Sequence, residues 1–332
     1  MWPQTRGTSP VGSPASRAPF RYWVQHQFPL PFMTTLYTQQ DTNIRKTWLL
    51  ITVFFVLIIG LGFLFSQVYG SSEILYIAVA LSIGMNIMAY WKSDAIALAL
   101  SHAQPIKRAG NEYVYRIIEN LCITAGLPMP RMYIIQSQQI NAFATGRNPQ
   151  HSAIAITTGA IEKLKNEELQ GVLAHELSHV GNRDILISSV VVVLSGLIAI
   201  LGDWFLRISF WGGRGNDDNK SGGAILLVIG LIAAILAPIA ATMIQLAVSR
   251  KREFLADASG ALLTRYPDGL ANALEKISQE EIPFRYAHNA TAHLFISSPF
   301  KGKEGTSWFT KLFMTHPPLQ ERIKILRGMD IK

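Results

Sequence analysis

The chain has 332 residues, 49% of them hydrophobic and only 16% charged, with a formal net charge of +8. An average soluble protein carries about 25% charged residues, so the deficit points to the bilayer, and the length leaves room for a soluble domain beside several spans. The basic residues are scattered or flank apolar runs rather than forming a stripe, which argues against a nucleic-acid partner; the single cysteine, Cys122, excludes an internal disulfide and a cysteine-rich metal site.

Residues 1–32 are rich in Pro, Ser and Arg and contain no Asp or Glu. Such a segment cannot bury enough apolar surface to order itself, so it reads as a disordered or non-native extension ahead of Met33, or as an organellar transit peptide. Residues 33–92 read as a membrane hairpin. Trp48–Phe65 and Ile74–Trp91 are uncharged runs of 18 residues, about the minimum for a 30 Å hydrocarbon core. Arg45 and Lys46 before the first and Lys92 after the second place both ends on the cytoplasmic side.

Residues 93–184 read as the first part of a cytosolic domain. A helix is expected over Asn111–Ala125, ending at Gly126 with Pro128 beyond. Strands are expected at Met132–Ile135, Ala142–Thr145 and Ala153–Thr157, where β-branched residues concentrate. Asn166 is a candidate cap for the next helix, with Glu167 and Glu168 in its first turn. Residues 185–248 hold a second apolar pair, 185–202 and 224–248, which either spans or packs near the membrane. Arg250, Lys251 and Arg252 follow it at once, returning residues 249–332 to the cytoplasmic side as the second part of the domain.

The helix after Asn166 contains His175-Glu176-Leu177-Ser178-His179. Residues four apart lie on one helix face, so both imidazoles can reach one metal ion. Glu176 lies about 100° round the axis, close enough to take a proton from metal-bound water without ligating. A catalytic zinc site wants a third protein ligand and an open position. Glu253 and Asp257 are again four apart: Glu253 can complete the set, and Asp257 can accept the distal N–H of a ligand imidazole. Without the upstream histidines the same segment would read as a solvated helix of mixed charge. Asn182 and Asp184, just past the helix, read as caps or surface groups.

Together, His175-Glu176-x-x-His179, Glu253-Phe-x-Ala-Asp257, Thr315-His316-Pro317-Pro318 and Asn141–Gly146 resemble the HtpX group of membrane gluzincins, in order and over roughly residues 40–332. The resemblance implies an α+β zincin-like metalloprotease domain combined with about four transmembrane helices, mostly α. It implies one Zn2+ per chain and an endopeptidase that degrades misfolded or damaged membrane proteins, or unfolded polypeptides, at the cytoplasmic face of a bacterial inner membrane. An organellar inner membrane is expected instead if residues 1–32 are a transit peptide. It further implies that His316 hydrogen-bonds the oxyanion, where it otherwise reads as a residue at the start of the last helix. Asn141, Ala142, Phe143 and Ala144 are implied to form the edge strand along which a substrate peptide lies. The rival readings are a prenyl-protein endopeptidase, for which four apolar runs are few, and a membrane scaffold or metal transporter using the same His/Glu cluster, although the runs contain no acid or histidine.

Overall fold

A computed structural model of the chain describes residues 36–212, 249–284, 286, 290–300 and 317–329. The extension 1–32, the apolar run 224–248 and His316 lie outside the described residues. Helix α1 runs over Leu36–Tyr69 and α2 over Glu73–Trp91. The helix therefore begins well ahead of the apolar run at Trp48. The stretches Gln40–Gln67 and Glu73–Trp91 are long and apolar enough to cross a bilayer. Their outward faces expose Trp48, Leu49, Val56, Tyr76 and Ile77, the surface expected of helices solvated by lipid. The inward face of α1 repeats every three to four residues through Asn43, Thr47, Leu50, Phe54 and Ile58, all buried.

A short α3 (Ser93–Leu100) leads to a four-stranded sheet built from β1 (Gln104–Pro105), β2 (Arg131–Ile135), β3 (Ala142–Gly146) and β4 (Ser152–Thr157). The strand order is β1-β2-β4-β3; β2 and β4 are parallel, and β3 lies antiparallel to β4 at one edge with Phe143 opposite Ala155. Between β1 and β2, α4 (Glu112–Ala125) ends at Gly126, whose φ of 65° closes the last turn by donating to the Cys122 and Ile123 carbonyls. Cys122 is a buried core residue of that helix.

After α5 (Thr158–Lys163) comes α6 (Asn166–Gly181), which carries both histidines. Its cap position is Lys165 rather than Asn166: the Lys165 N–H donates to Glu168 Oε2 at 2.7 Å, and Lys276 Nζ meets the same oxygen at 2.7 Å. The Glu168 carboxylate, already fixed by a lysine, satisfies the helix end in place of a polar cap side chain. Helix α6 turns by 86° into α7 (Asp184–Gly212), an apolar helix that packs on α1 and α2. Of the second apolar pair, residues 185–202 fall within α7.

Among the described residues the remaining α-helices are α8 (Arg250–Thr264), α9 (Pro267–Gln279) and α10 (Leu319–Arg327). With α4, α6 and the sheet they enclose the main core, including Ile118, Ile154, Leu173, Leu177, Leu274 and Leu326. The chain is thus a mostly helical α+β domain joined to a membrane helix hairpin. Two glycines let the helices meet backbone to backbone. A Cβ on Gly171 of α6 would lie 2.6 Å from the Leu270 nitrogen, and one on Gly260 of α8 would lie 3.0 Å from the His175 nitrogen.

Candidate active site

The site sits where α6 and α8 cross. Close approach at Gly260 brings the first turn of α8 over the histidine face of α6. His175, Glu176 and Glu253 are buried, and His179 is partly exposed. The two Nε2 atoms face one another at 3.2 Å. Glu253 Oε2 lies 3.8 Å from the His175 Nε2, and Oε1 lies 3.7 Å from the His179 Nε2. One ligand atom from each of the three residues falls within 4.8 Å of the others.

Each imidazole is held from behind by its own carboxylate. His175 Nδ1 donates to Asp257 Oδ1 at 2.9 Å, and His179 Nδ1 to Asp184 Oδ2 at 3.1 Å. Those bonds place the Nδ1 proton outward and turn both Nε2 atoms toward the centre. Asp184 is therefore not a surface cap; it is buried behind His179.

Two arginines hold those carboxylates. Arg322 of α10, fully buried, donates to Asp257 from Nε at 2.8 Å and from Nη2 at 2.6 Å, and its Nη1 lies 3.4 Å from Glu253 Oε2. Arg252 Nε lies 3.9 Å from Asp184 Oδ1, and its Nη1 donates to Asn43 Oδ1 at 3.2 Å. Asn43 in turn donates from Nδ2 to Asp184 Oδ1. Sequence reasoning gave no role to Arg322 or Asn43, read Asp184 as a cap or surface group, and read Arg252 only as a basic residue beside an apolar run. Arg322 and Asn43 did carry a signal: each interrupts an otherwise apolar face of its helix, between Leu319 and Leu326 in one case and before Leu50 and Phe54 in the other.

The charges follow from this packing. Burial raises the Glu176 pKa to about 7, with Glu253 adding to the rise and His179 and the Ala144 backbone N–H opposing it. Burial works against an imidazolium at His179, but Asp184, Glu253 and Glu176 outweigh it and raise the pKa to about 9. Burial lowers the His175 pKa, so that ring is neutral. Burial also works to raise Asp257, yet Arg322 holds its carboxyl below the ordinary range. The opposite shifts favour His179 over His175 as the ring that carries the proton between the two Nε2 atoms.

A metal ion can take the place of that proton. The two Nε2 atoms, 3.2 Å apart, are close enough that one ion would meet both. The Glu253 carboxylate faces the same centre, with one oxygen 3.8 Å from His175 Nε2 and the other 3.7 Å from His179 Nε2. The donor set of two imidazoles and one carboxylate with fixed tautomers fits a catalytic metal with a position left open.

The sequence pattern of peptidase family M48 matches residues 108–330. The chain belongs to that family. It is 45% identical over 302 residues to a "Protease HtpX homolog" of Thermoanaerobacter pseudethanolicus, covering 90% of this chain and 99% of the relative. It is 42% identical over 290 residues to one of Pyrococcus furiosus, covering 86% and 96%. The crystal structure of S. mikatae Ste24p aligns with 87% of this chain and 67% of its own, at a TM-score of 0.45 and 19% identity. This M48 member is a metallopeptidase and an integral membrane protein.

The strand implied to receive substrate is β3. It is an edge strand, but all five residues are buried. Asn141 turns its carbonyl to Thr157 N in β4 at 3.1 Å and its side chain to Ser297 O at 3.1 Å, and Phe143 packs edge-on against Phe295 at 5.1 Å. With Asn141 and its alternates facing β4, Ala142 and Ala144 direct backbone groups off the sheet. The Ala142 carbonyl accepts from Ile296 N at 3.1 Å. A cavity of about 30 Å³ over the histidines, lined also by His293, Leu294 and Ile296, has room for a water or two.

Proposed function

We propose that this metallopeptidase is a zinc endopeptidase that holds one Zn2+ through His175, His179 and Glu253 and cleaves unfolded or damaged membrane proteins. The observation that carries the reading is the convergence of those three side chains beside a buried Glu176. A zinc ion held by His175, His179 and Glu253 would supply Lewis acidity to a bound water and a peptide carbonyl. Glu176 accepts the proton of the attacking water and returns it to the leaving amine; a pKa near 7 suits both transfers. The Ala144 N–H aims that carboxylate, and Asp257 and Asp184 hold the ligand rings in register. His316 donates to the oxyanion.

The substrate lies extended along β3, where Asn141 and Phe143 fix the strand and Ala142 and Ala144 supply the backbone groups. Segment 292–297 then moves off the strand, because Ile296 occupies the Ala142 carbonyl. The metal helix turns straight into α7 beside the membrane hairpin, so the reactive end lies near the bilayer surface. Together with Arg45, Lys46 and Lys92, that supports cleavage at the cytoplasmic face of a bacterial inner membrane and a part in quality control.

The test compares detergent-purified, zinc-loaded chain with Glu176→Gln on an unfolded model protein. Glu176→Gln is expected to keep one zinc and to lose at least 10²-fold in kcat, about what a positioned general base supplies. Full activity in that variant overturns the mechanism.

A further inference from the structure

The first membrane helix enters the metal site. Asn43 of α1 is 1% exposed and lies one turn after Gln40, whose Nε2 donates to the Gly181 carbonyl at 2.8 Å. Its own amide is used from both ends. Nδ2 donates to Asp184 Oδ1 and approaches the Asn182 carbonyl at 3.4 Å, while Oδ1 accepts from Arg252 Nη1 at 3.2 Å. Asp184 gives its other oxygen to His179 Nδ1, and Arg252 directly precedes Glu253 in α8. A continuous line of polar contacts therefore runs from a membrane helix through Asp184 to His179, and a second contact from the same amide reaches Arg252, the chain neighbour of Glu253.

We propose that Asn43 is a positioning residue of the metal centre: it locks the Asp184 carboxylate behind His179 and the Arg252 guanidinium beside Glu253. The membrane hairpin is then a structural part of the active site as well as an attachment to the bilayer. An amide suits the position because it presents a donor to a carboxylate and an acceptor to a guanidinium with no net charge. A carboxylate there would repel Asp184, and an apolar side chain would leave buried polar groups on both sides without that partner. Groups that orient a ligand imidazole through a carboxylate typically contribute 10- to 100-fold in metal affinity or activity.

The inference rests on His175, His179 and Glu253 being the metal ligands, and the experiment separates the two. Full-length chain in detergent is loaded with zinc, and retention is titrated with a competing chelator. Cobalt-substituted samples give the ligand-field spectrum. The variants are Asn43→Ala, Asn43→Asp, Gln40→Ala and His179→Ala. His179→Ala reports on the ligand assignment alone: zinc held as tightly as in wild type overturns that assignment whatever Asn43 does. Asn43→Ala is expected to hold zinc 10- to 100-fold more weakly, with an altered cobalt spectrum and a kcat that falls while KM changes little. Gln40→Ala removes another contact between α1 and the metal helix but has no bond to Asp184, so it should retain zinc and the cobalt spectrum. Asn43→Asp guards against a misfolded alanine variant. It keeps the shape and the acceptor facing Arg252, loses the donor facing Asp184, and is expected to show the same loss. Wild-type zinc retention and spectrum in a folded Asn43→Ala or Asn43→Asp overturn the proposal and reduce Asn43 to a packing contact.

Discussion

Replacing Arg322 by Met isolates what the buried guanidinium does. Met fills much of the same volume but removes the donors that meet both Asp257 oxygens, at 2.8 and 2.6 Å. Asp257, 1% exposed, would keep only the His175 Nδ1–H as partner. Breaking a buried pair from one side costs about 3–5 kcal/mol, and the surviving imidazole bond places this case near 3 kcal/mol. For a domain of this size each kcal/mol is worth about 2–4 °C, so Tm should fall by roughly 6–12 °C. The assay is thermal unfolding of chelator-treated protein in detergent, followed by tryptophan fluorescence. A second substitution, Asp257→Asn, should recover most of the loss, because the penalty lies in the stranded carboxylate and not in the missing arginine. A drop below about 3 °C, or a double variant no more stable than Arg322→Met, refutes the reasoning.

Gly260→Ala should push α8 away from α6, since the new Cβ meets backbone at 3.0 Å that cannot swing aside; about 1–3 kcal/mol of stability is lost, and zinc retention, read by chelator competition, falls because Glu253 rides on the same helix. Metal affinity should rise with pH. In the metal-free chain His179 keeps its proton up to about pH 9, and a bound ion must displace it, so the apparent constant climbs roughly tenfold per pH unit between 7 and 9. Calorimetry in buffers of different ionisation heat should find about one proton released per ion, and a flat profile refutes the assignment. The acid limb of peptidase activity should have its midpoint at or below about pH 7. Burial raises Glu176 to that value, a nearby cation lowers it again, and the base works only when ionised; a midpoint well above 7 in a stopped-time assay would remove Glu176 from that role.

The sequence made the metal trio legible because helix periodicity is rigid. Once His175 and His179 share a face, and Glu253 and Asp257 share another, little freedom is left in how they can meet. Arg322 and Asn43 were hidden for the opposite reason. Arg322 is 65 residues from Asp257, and Asn43 is 141 from Asp184, and no local pattern says which distant carboxylate a lone polar residue on an apolar stripe will meet. The same limit applies to β3. Its residues read as a strand, but the segment covering its free edge, with Ile296 bonded to Ala142, has neither helical nor alternating period. Asn166 misled because a polar residue before Glu167 and Glu168 has the ordinary look of a cap, whereas Glu168 itself receives the Lys165 N–H.

The arginines also account for which carboxylates remain available to an ion. Asp257 has both oxygens committed to Arg322 and one of them also to His175. Asp184 divides its two between Asn43 and His179. Either would be a competent ligand if left alone, and a metal drawn to them would sit behind the imidazoles with Glu176 out of reach. Glu253 is approached by Arg322 at 3.4 Å, a longer and weaker contact, and its carboxylate faces both Nε2 atoms. Asp257 is thus occupied by a guanidinium and Asp184 by an amide and an imidazole, while Glu253 keeps only the looser arginine contact. Substituting Arg322 should then disturb where the ion sits as well as how firmly the fold holds it.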